Sequence, residues 1–145
     1  MMKEKKIEIL YWGIFILSVF ILLINFGIIL ISLELLLFLP ALILHFILGL
    51  KLKKINDLKN GFIFIFVSSI SLLLSALFRV DGAHTFSENG LSSFLSLFGL
   101  FAGFNEEYIN QYFLISFISL AVMITTDIII LKKIKANKPL SSKHT

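Results

Sequence analysis

Two sets of residues in this chain have side chains and spacings that could do chemistry. The first is Asp81, His84 and Glu88, written D-x-x-H-x-x-x-E. On a helix these three would share one face, and carboxylates with an imidazole suit a divalent metal. The surrounding "DG" and "NG" dipeptides argue instead for turns, so the spacing is a weak metal candidate beside an ordinary solvated loop. The second set is Glu34, His45, Arg79 and Asp127, which stand inside or at the ends of long apolar runs. Ionisable groups at such positions cost about 2.5–3.5 kcal/mol on insertion scales, so they turn toward one another and mark ion pairs, proton relays or bound polar ligands.

Their spacing relates them. Glu34 and His45, Ser68 and Arg79, and Ser116 and Asp127 are each eleven residues apart. Eleven residues is close to three helical turns, so each pair shares a helix face. Ordered by depth, Asn25, Glu34, Ser75, Arg79 and Ser116 form an outer layer, and His45, Ser68 and Asp127 an inner one. A polar seam follows, with an outer Glu34–Arg79 pair and an inner His45–Asp127 cluster. The plainer alternatives are a purely structural Glu34–Arg79 pair and an Asp127 that reaches out to Lys51, Lys53 or Lys54. Pro40 lies between the layers, where it would kink its helix or free a carbonyl.

The elements that must position these residues follow from composition. The chain has 145 residues, 58% hydrophobic and 15% charged. A soluble domain of this size cannot bury so much apolar surface. The apolar residues come in runs of bilayer-crossing length, roughly 20 residues. The block from Ile7 to Leu50 holds 44 residues, and as one helix would measure about 66 Å, roughly twice the hydrocarbon core. It must fold back, either at Asn25–Gly27 or at Ser32–Glu34. The expectation is an all-α integral membrane protein: a four-transmembrane-helix bundle of a single domain. Its spans are expected at about 7–25, 28–50, 62–80 and 110–131, with a basic loop over 51–61, an outer loop over 81–109 and a tail over 132–145.

Within the outer loop, Leu91–Phe104 is too short to span yet has a helical pattern. Ser92, Ser96, Gly99 and Gly103 recur on one face, as a small-residue stripe able to pack on other helices. This predicts an extra short amphipathic helix, interfacial or re-entrant. Ser71 and Ser75 extend the same kind of stripe on the third span.

Charge gives orientation. Of thirteen basic residues, three lysines lie before the first span, four in the 51–61 loop and five in the tail, while the 81–109 loop has none and carries Asp81, Glu88, Glu106 and Glu107. The positive-inside rule places both termini in the cytoplasm and the 81–109 loop outside. Tyr11, Trp12, Tyr108 and Tyr112 are expected in the interfacial aromatic belts. The Ile-, Lys-, Phe- and Asn-rich composition suggests a bacterial plasma-membrane protein. The opening "MMKEKK" resembles a signal n-region, but the apolar stretch after it is too long for a signal h-region and is read as retained.

The chain has no cysteine, which excludes disulfides and thiolate chemistry. It lacks a Walker A loop, a dinucleotide fingerprint, a CxxCH haem site and a GxSxG elbow. No catalytic residue and no cofactor are assigned. The net charge of +4 reads as topology, with no sign of nucleic acid as a partner. The expected partners are the lipid bilayer and either a second copy of the chain or another membrane protein. The leading expectation is a non-enzymatic accessory, immunity-type or complex-forming subunit acting through helix packing. The alternatives are a small oligomeric ion- or proton-coupled transporter or channel that uses the seam, and an outer-face metal-dependent enzyme.

Overall fold

The structure is a computed structural model. The described residues are 2–24, 31–56, 60–81, 88–100 and 106–136, with the side chains of 2–4, 31–36, 56, 81, 88 and 106 outside that description. The element order is α1 (Met2–Ile24), α2 (Ile31–Gly49), α3 (Leu52–Asn56), α4 (Gly61–Phe78), β1 (Val80–Asp81), β2 (Glu88–Asn89), α5 (Gly90–Ser96), a 3-10 turn (Glu106–Tyr108) and α6 (Ile109–Ala136). Three helices are long and apolar enough to cross a membrane: α1 over Lys5–Ile24, α4 over Gly61–Phe78 and α6 over Ile109–Ala136. On α2 the apolar stretch with described side chains is Leu37–Gly49.

The packing follows from which face of each helix is small or apolar. On α4, Ile65, Ser68, Ser69, Leu72, Ser75 and Ala76 are all buried, a set that repeats at three and four residues and so lies on one stripe. On α6, the buried Ser116, Leu120, Met123, Asp127, Ile130 and Ile134 do the same. These stripes face each other, and α1 packs on α4 from another side. Ala41, Leu72, Leu120 and Met123 form the middle of the core. One end gathers Tyr11, Leu48, Leu52, Ile55, Ile65, Ile130 and Ile134. The other gathers Ile21, Leu22 and Ala76, with Leu77 and Phe94 against them. The start of α1, the end of α2, the start of α4 and the end of α6 therefore share one end.

Ser32–Glu34 lies within α2, as the expected span over 28–50 has it and against the alternative turn there; Asn25–Gly27 falls outside the described residues. Other boundaries differ from expectation. The basic 51–61 loop contains α3, whose Leu52 and Ile55 are buried. α6 continues to Ala136, because its last turns carry Ile130 and Ile134 into the core.

The expected helix over 91–104 stops at Ser96. It starts well, since Asn89 and Ser92 form a reciprocal capping box, which satisfies two of the N–H groups a helix start leaves open. It ends because Gly99 takes a left-handed φ of 70°, with its N–H on the Ser96 carbonyl at 3.0 Å. Ser92, Ser96 and Gly99 thus do not form one helical face. Ser92 is used in the cap, Ser96 donates to the Ser93 carbonyl at 2.8 Å, Gly99 has open space beside it, and Gly103 is outside the described residues. The buried contact of α5 is made by Gly90 and Ser93 instead.

Candidate functional site: a buried histidine, serine and aspartate

The inner polar layer is a contact among three helices. His45 on α2, Ser68 on α4 and Asp127 on α6 are all fully buried. His45 Nδ1 lies 2.9 Å from Asp127 Oδ2, and the Ser68 hydroxyl donates to Asp127 Oδ1. Ser68 Oγ is also 3.1 Å from His45 Nδ1. With the carboxylate as acceptor on both sides, the Nδ1–H points at Asp127. Each helix offers its polar residue in step with apolar neighbours: Ala41, His45 and Leu48 on α2, Ile65, Ser68 and Leu72 on α4, and Met123, Asp127 and Ile130 on α6. The cluster is sealed by core above and below.

Tyr11 completes it. Its ring stacks on the His45 imidazole at 4.7 Å and 19°, and its hydroxyl donates to the His45 carbonyl at 2.5 Å. Phe15 stacks near the same imidazole at 5.9 Å. Tyr11 is 1% exposed, so it is a core residue and not a member of an interfacial belt. A Tyr near the start of a span is ambiguous in sequence, and only the arrival of the α2 end beside it decides the matter. Tyr108, by contrast, is exposed, and Tyr112 stacks on Phe78 at 5.9 Å.

Asp127 does not reach for solvent. Its partners are His45 and Ser68, and no lysine pairs with it among the described residues. A fully buried carboxylate held by two donors is the less costly arrangement, since an unpaired one would carry its full desolvation penalty. The arrangement is also unlike a hydrolase triad. There the serine contacts Nε2 and the acid Nδ1. Here serine and acid both sit on the Nδ1 side, and Ser68 donates to the acid. His45 Nε2 is buried with no hydrogen-bond partner among the described residues.

The outer layer is built differently. Ser116 donates to the Ser75 carbonyl at 2.9 Å, and the two hydroxyls lie 3.5 Å apart, joining α4 and α6 about two turns along α4 and three along α6 from the inner cluster. Arg79, the α4 C-cap, donates from Nη1 to the Leu22 carbonyl at 3.1 Å, an acceptor left open by the end of α1. Its guanidinium also lies 5.9 Å from the centre of the Phe38 ring. The side chain of Glu34 and all of Asn25 lie outside the described residues, as does the Glu34–Arg79 pair.

Ser71 and Ser75, expected as contact surface for a partner, are buried within the chain. Small residues on α4 let the backbones of α1 and α6 approach, which uses that surface internally.

The proposed metal spacing does not lie on one helix. The backbones of Asp81 and Glu88 face each other in the antiparallel pairing of β1 with β2. That removes the shared-face logic of D-x-x-H-x-x-x-E; His84 is outside the described residues. Among the described residues no group of three or more His, Cys, Asp or Glu side chains could hold a metal ion. No protein-family model matches the chain, and no curated protein or solved structure matches it.

Proposed function

We propose that this chain is a small polytopic membrane protein of four spans, α2 being the fourth. In this reading it is a non-enzymatic accessory, immunity-type or complex-forming subunit of a bacterial plasma membrane. Both termini are cytoplasmic, and the segment around α5 lies at the outer interface. The observation that carries this reading is the distribution of polarity. His45, Ser68 and Asp127 meet one another inside the bundle, as do Ser75 and Ser116, while large apolar side chains such as Ile16, Ile63, Leu114 and Ile118 are exposed. What the chain offers to its surroundings is apolar helix surface, which suits lipid and other membrane helices. The test is extraction in mild detergent after cross-linking in the membrane. A cross-linked complex, with itself or another membrane protein, is the expected result. A strictly monomeric particle with no cross-linked partner rejects the reading.

One observation favours a second reading, a small ion- or proton-coupled transporter or channel. His45 Nε2 is a buried ring nitrogen with no partner among the described residues, and intramembrane His and Asp chains are recurrent parts of proton relays. Proton flux in liposomes that is lost in Asp127→Asn supports it. Liposomes with no flux under any imposed pH gradient reject it.

A further inference from the structure

The shared end of α1, α3 and α6 is a basic surface, and its construction is specific. α3 follows α2 with almost no break in hydrogen bonding: the Lys51 N–H reaches the Leu48 carbonyl at 2.9 Å, and the Lys54 N–H the Lys51 carbonyl at 2.9 Å. Leu52 and Ile55 anchor α3 in the core cluster at this end. The chain then returns so closely that a Cβ on Gly61 would stand 2.0 Å from the Ile55 carbonyl oxygen. α3 is therefore clamped on both sides, and Lys53 and Lys54 are held exposed.

The end of α6 adds exposed Lys132, Lys133 and Lys135, and the start of α1 adds exposed Lys5 and Lys6. Lys133 Nζ rests 4.1 Å from the centre of the Phe64 ring on α4, which fixes one cation against the bundle wall. Among the described side chains, Glu8 is the exposed acid nearest in sequence to this group. None of these lysines has an ion-pair partner among the described residues. Beside the lysines stand exposed apolar side chains: Ile9, Leu50, Phe62 and Ile63.

We infer that this end of the molecule binds anionic phospholipid headgroups, with Lys53 and Lys54 of α3 and Lys132 and Lys133 of α6 as the phosphate-contacting groups. The inference rests on the membrane reading above. Cations from three elements converge where apolar spans end, the depth at which a headgroup phosphate lies. A soluble polyanion would leave Phe62, Ile63 and Leu50 bare, whereas a phospholipid covers them with its acyl chains while its phosphate meets the lysines.

The test uses the full chain in mild detergent, offered an equimolar mixture of phosphatidylglycerol and phosphatidylcholine, with retained lipid read by native mass spectrometry. Retention of phosphatidylglycerol in severalfold excess is expected, falling as ionic strength rises. The variant Lys53→Gln/Lys54→Gln/Lys132→Gln/Lys133→Gln should bring the two lipids near parity, each lysine contributing up to about fivefold. Trp12 emission checks that the variant is folded. If it is not, the pairs Lys53→Gln/Lys54→Gln and Lys132→Gln/Lys133→Gln are read separately. Equal retention of both lipids by the unaltered chain overturns the inference. So does a folded variant with full preference, or displacement of phosphatidylglycerol by excess inorganic phosphate. Insertion into pure phosphatidylcholine vesicles is the separate control. Failure there removes the membrane reading, and insertion without phosphatidylglycerol preference removes only the headgroup site.

Discussion

Replacing Asp127 by alanine tests the buried cluster most directly. The carboxylate accepts from two groups, the Ser68 hydroxyl and His45 Nδ1 at 2.9 Å. Alanine leaves both donors in an apolar interior, where an unpaired buried polar group costs about 1–3 kcal/mol. Within membranes the net figure is smaller, averaging about 0.6 kcal/mol per interhelical hydrogen bond with a maximum of about 1.7, because partly unfolded helices find other partners. Two bonds then predict a loss of about 1.2–3.4 kcal/mol. Ser68→Ala removes one bond and should cost about 0.6–1.7 kcal/mol. Once Asp127 is gone, the Ser68 hydroxyl has lost its carboxylate acceptor and keeps only His45 Nδ1, 3.1 Å away, so removing both should cost less than the sum, by about 0.5–1.7 kcal/mol.

The assay is SDS unfolding from mixed micelles, followed by the fluorescence of the single tryptophan. Trp12 suits the purpose, because it sits 5.6 Å from Tyr11 and 5.5 Å from Phe46 and so reports the α1–α2 contact beside His45. Additivity of the two substitutions within about 0.3 kcal/mol would refute the shared-acceptor geometry.

Two further substitutions probe separate links. Tyr11→Phe keeps the ring on His45 but deletes the hydroxyl that donates to the His45 carbonyl, and the same titration should show a loss of about 1 kcal/mol; no change would mean that the hydroxyl bond adds nothing. Gly90→Ala should destabilise by about 1–3 kcal/mol, since its Cβ would stand 2.1 Å from the Ala76 carbonyl oxygen. Gly13→Ala meets nothing within 4 Å and should instead stabilise α1 by about 0.5–1 kcal/mol. Equal effects at the two glycines would contradict the docking of α5 on α4.

Much of this arrangement is legible in the chain, and the parts that are not share a cause. α1, α4 and α6 announce themselves as long apolar runs, because length and hydropathy are local properties. The eleven-residue pairing puts Ser116 and Asp127 on one face of α6, and both are buried there. What escaped depends on a neighbour distant in sequence. Tyr11 looks like an interfacial residue until the end of α2 covers it. Ser71 and Ser75 look like contact surface until α1 and α6 occupy it. α3 has five residues, too few for any periodicity to declare itself, and exists because Leu52 and Ile55 find a core. The small-residue repeat after Ser92 suggests a longer helix than forms, since a repeat of Ser and Gly is equally compatible with a left-handed turn at Gly99.

The separation of His45 from Asp127, 82 residues along the chain, has a consequence for biosynthesis. α2 leaves the ribosome well before α6 exists. At a synthesis rate of about 5–20 residues per second, the imidazole waits roughly 4–16 s for its acid. Ser68 emerges in that interval and can bond to His45 alone. The polar centre therefore stays incomplete until α6 is made. A chain truncated before α6 would hold the imidazole and the hydroxyl with no carboxylate to receive them.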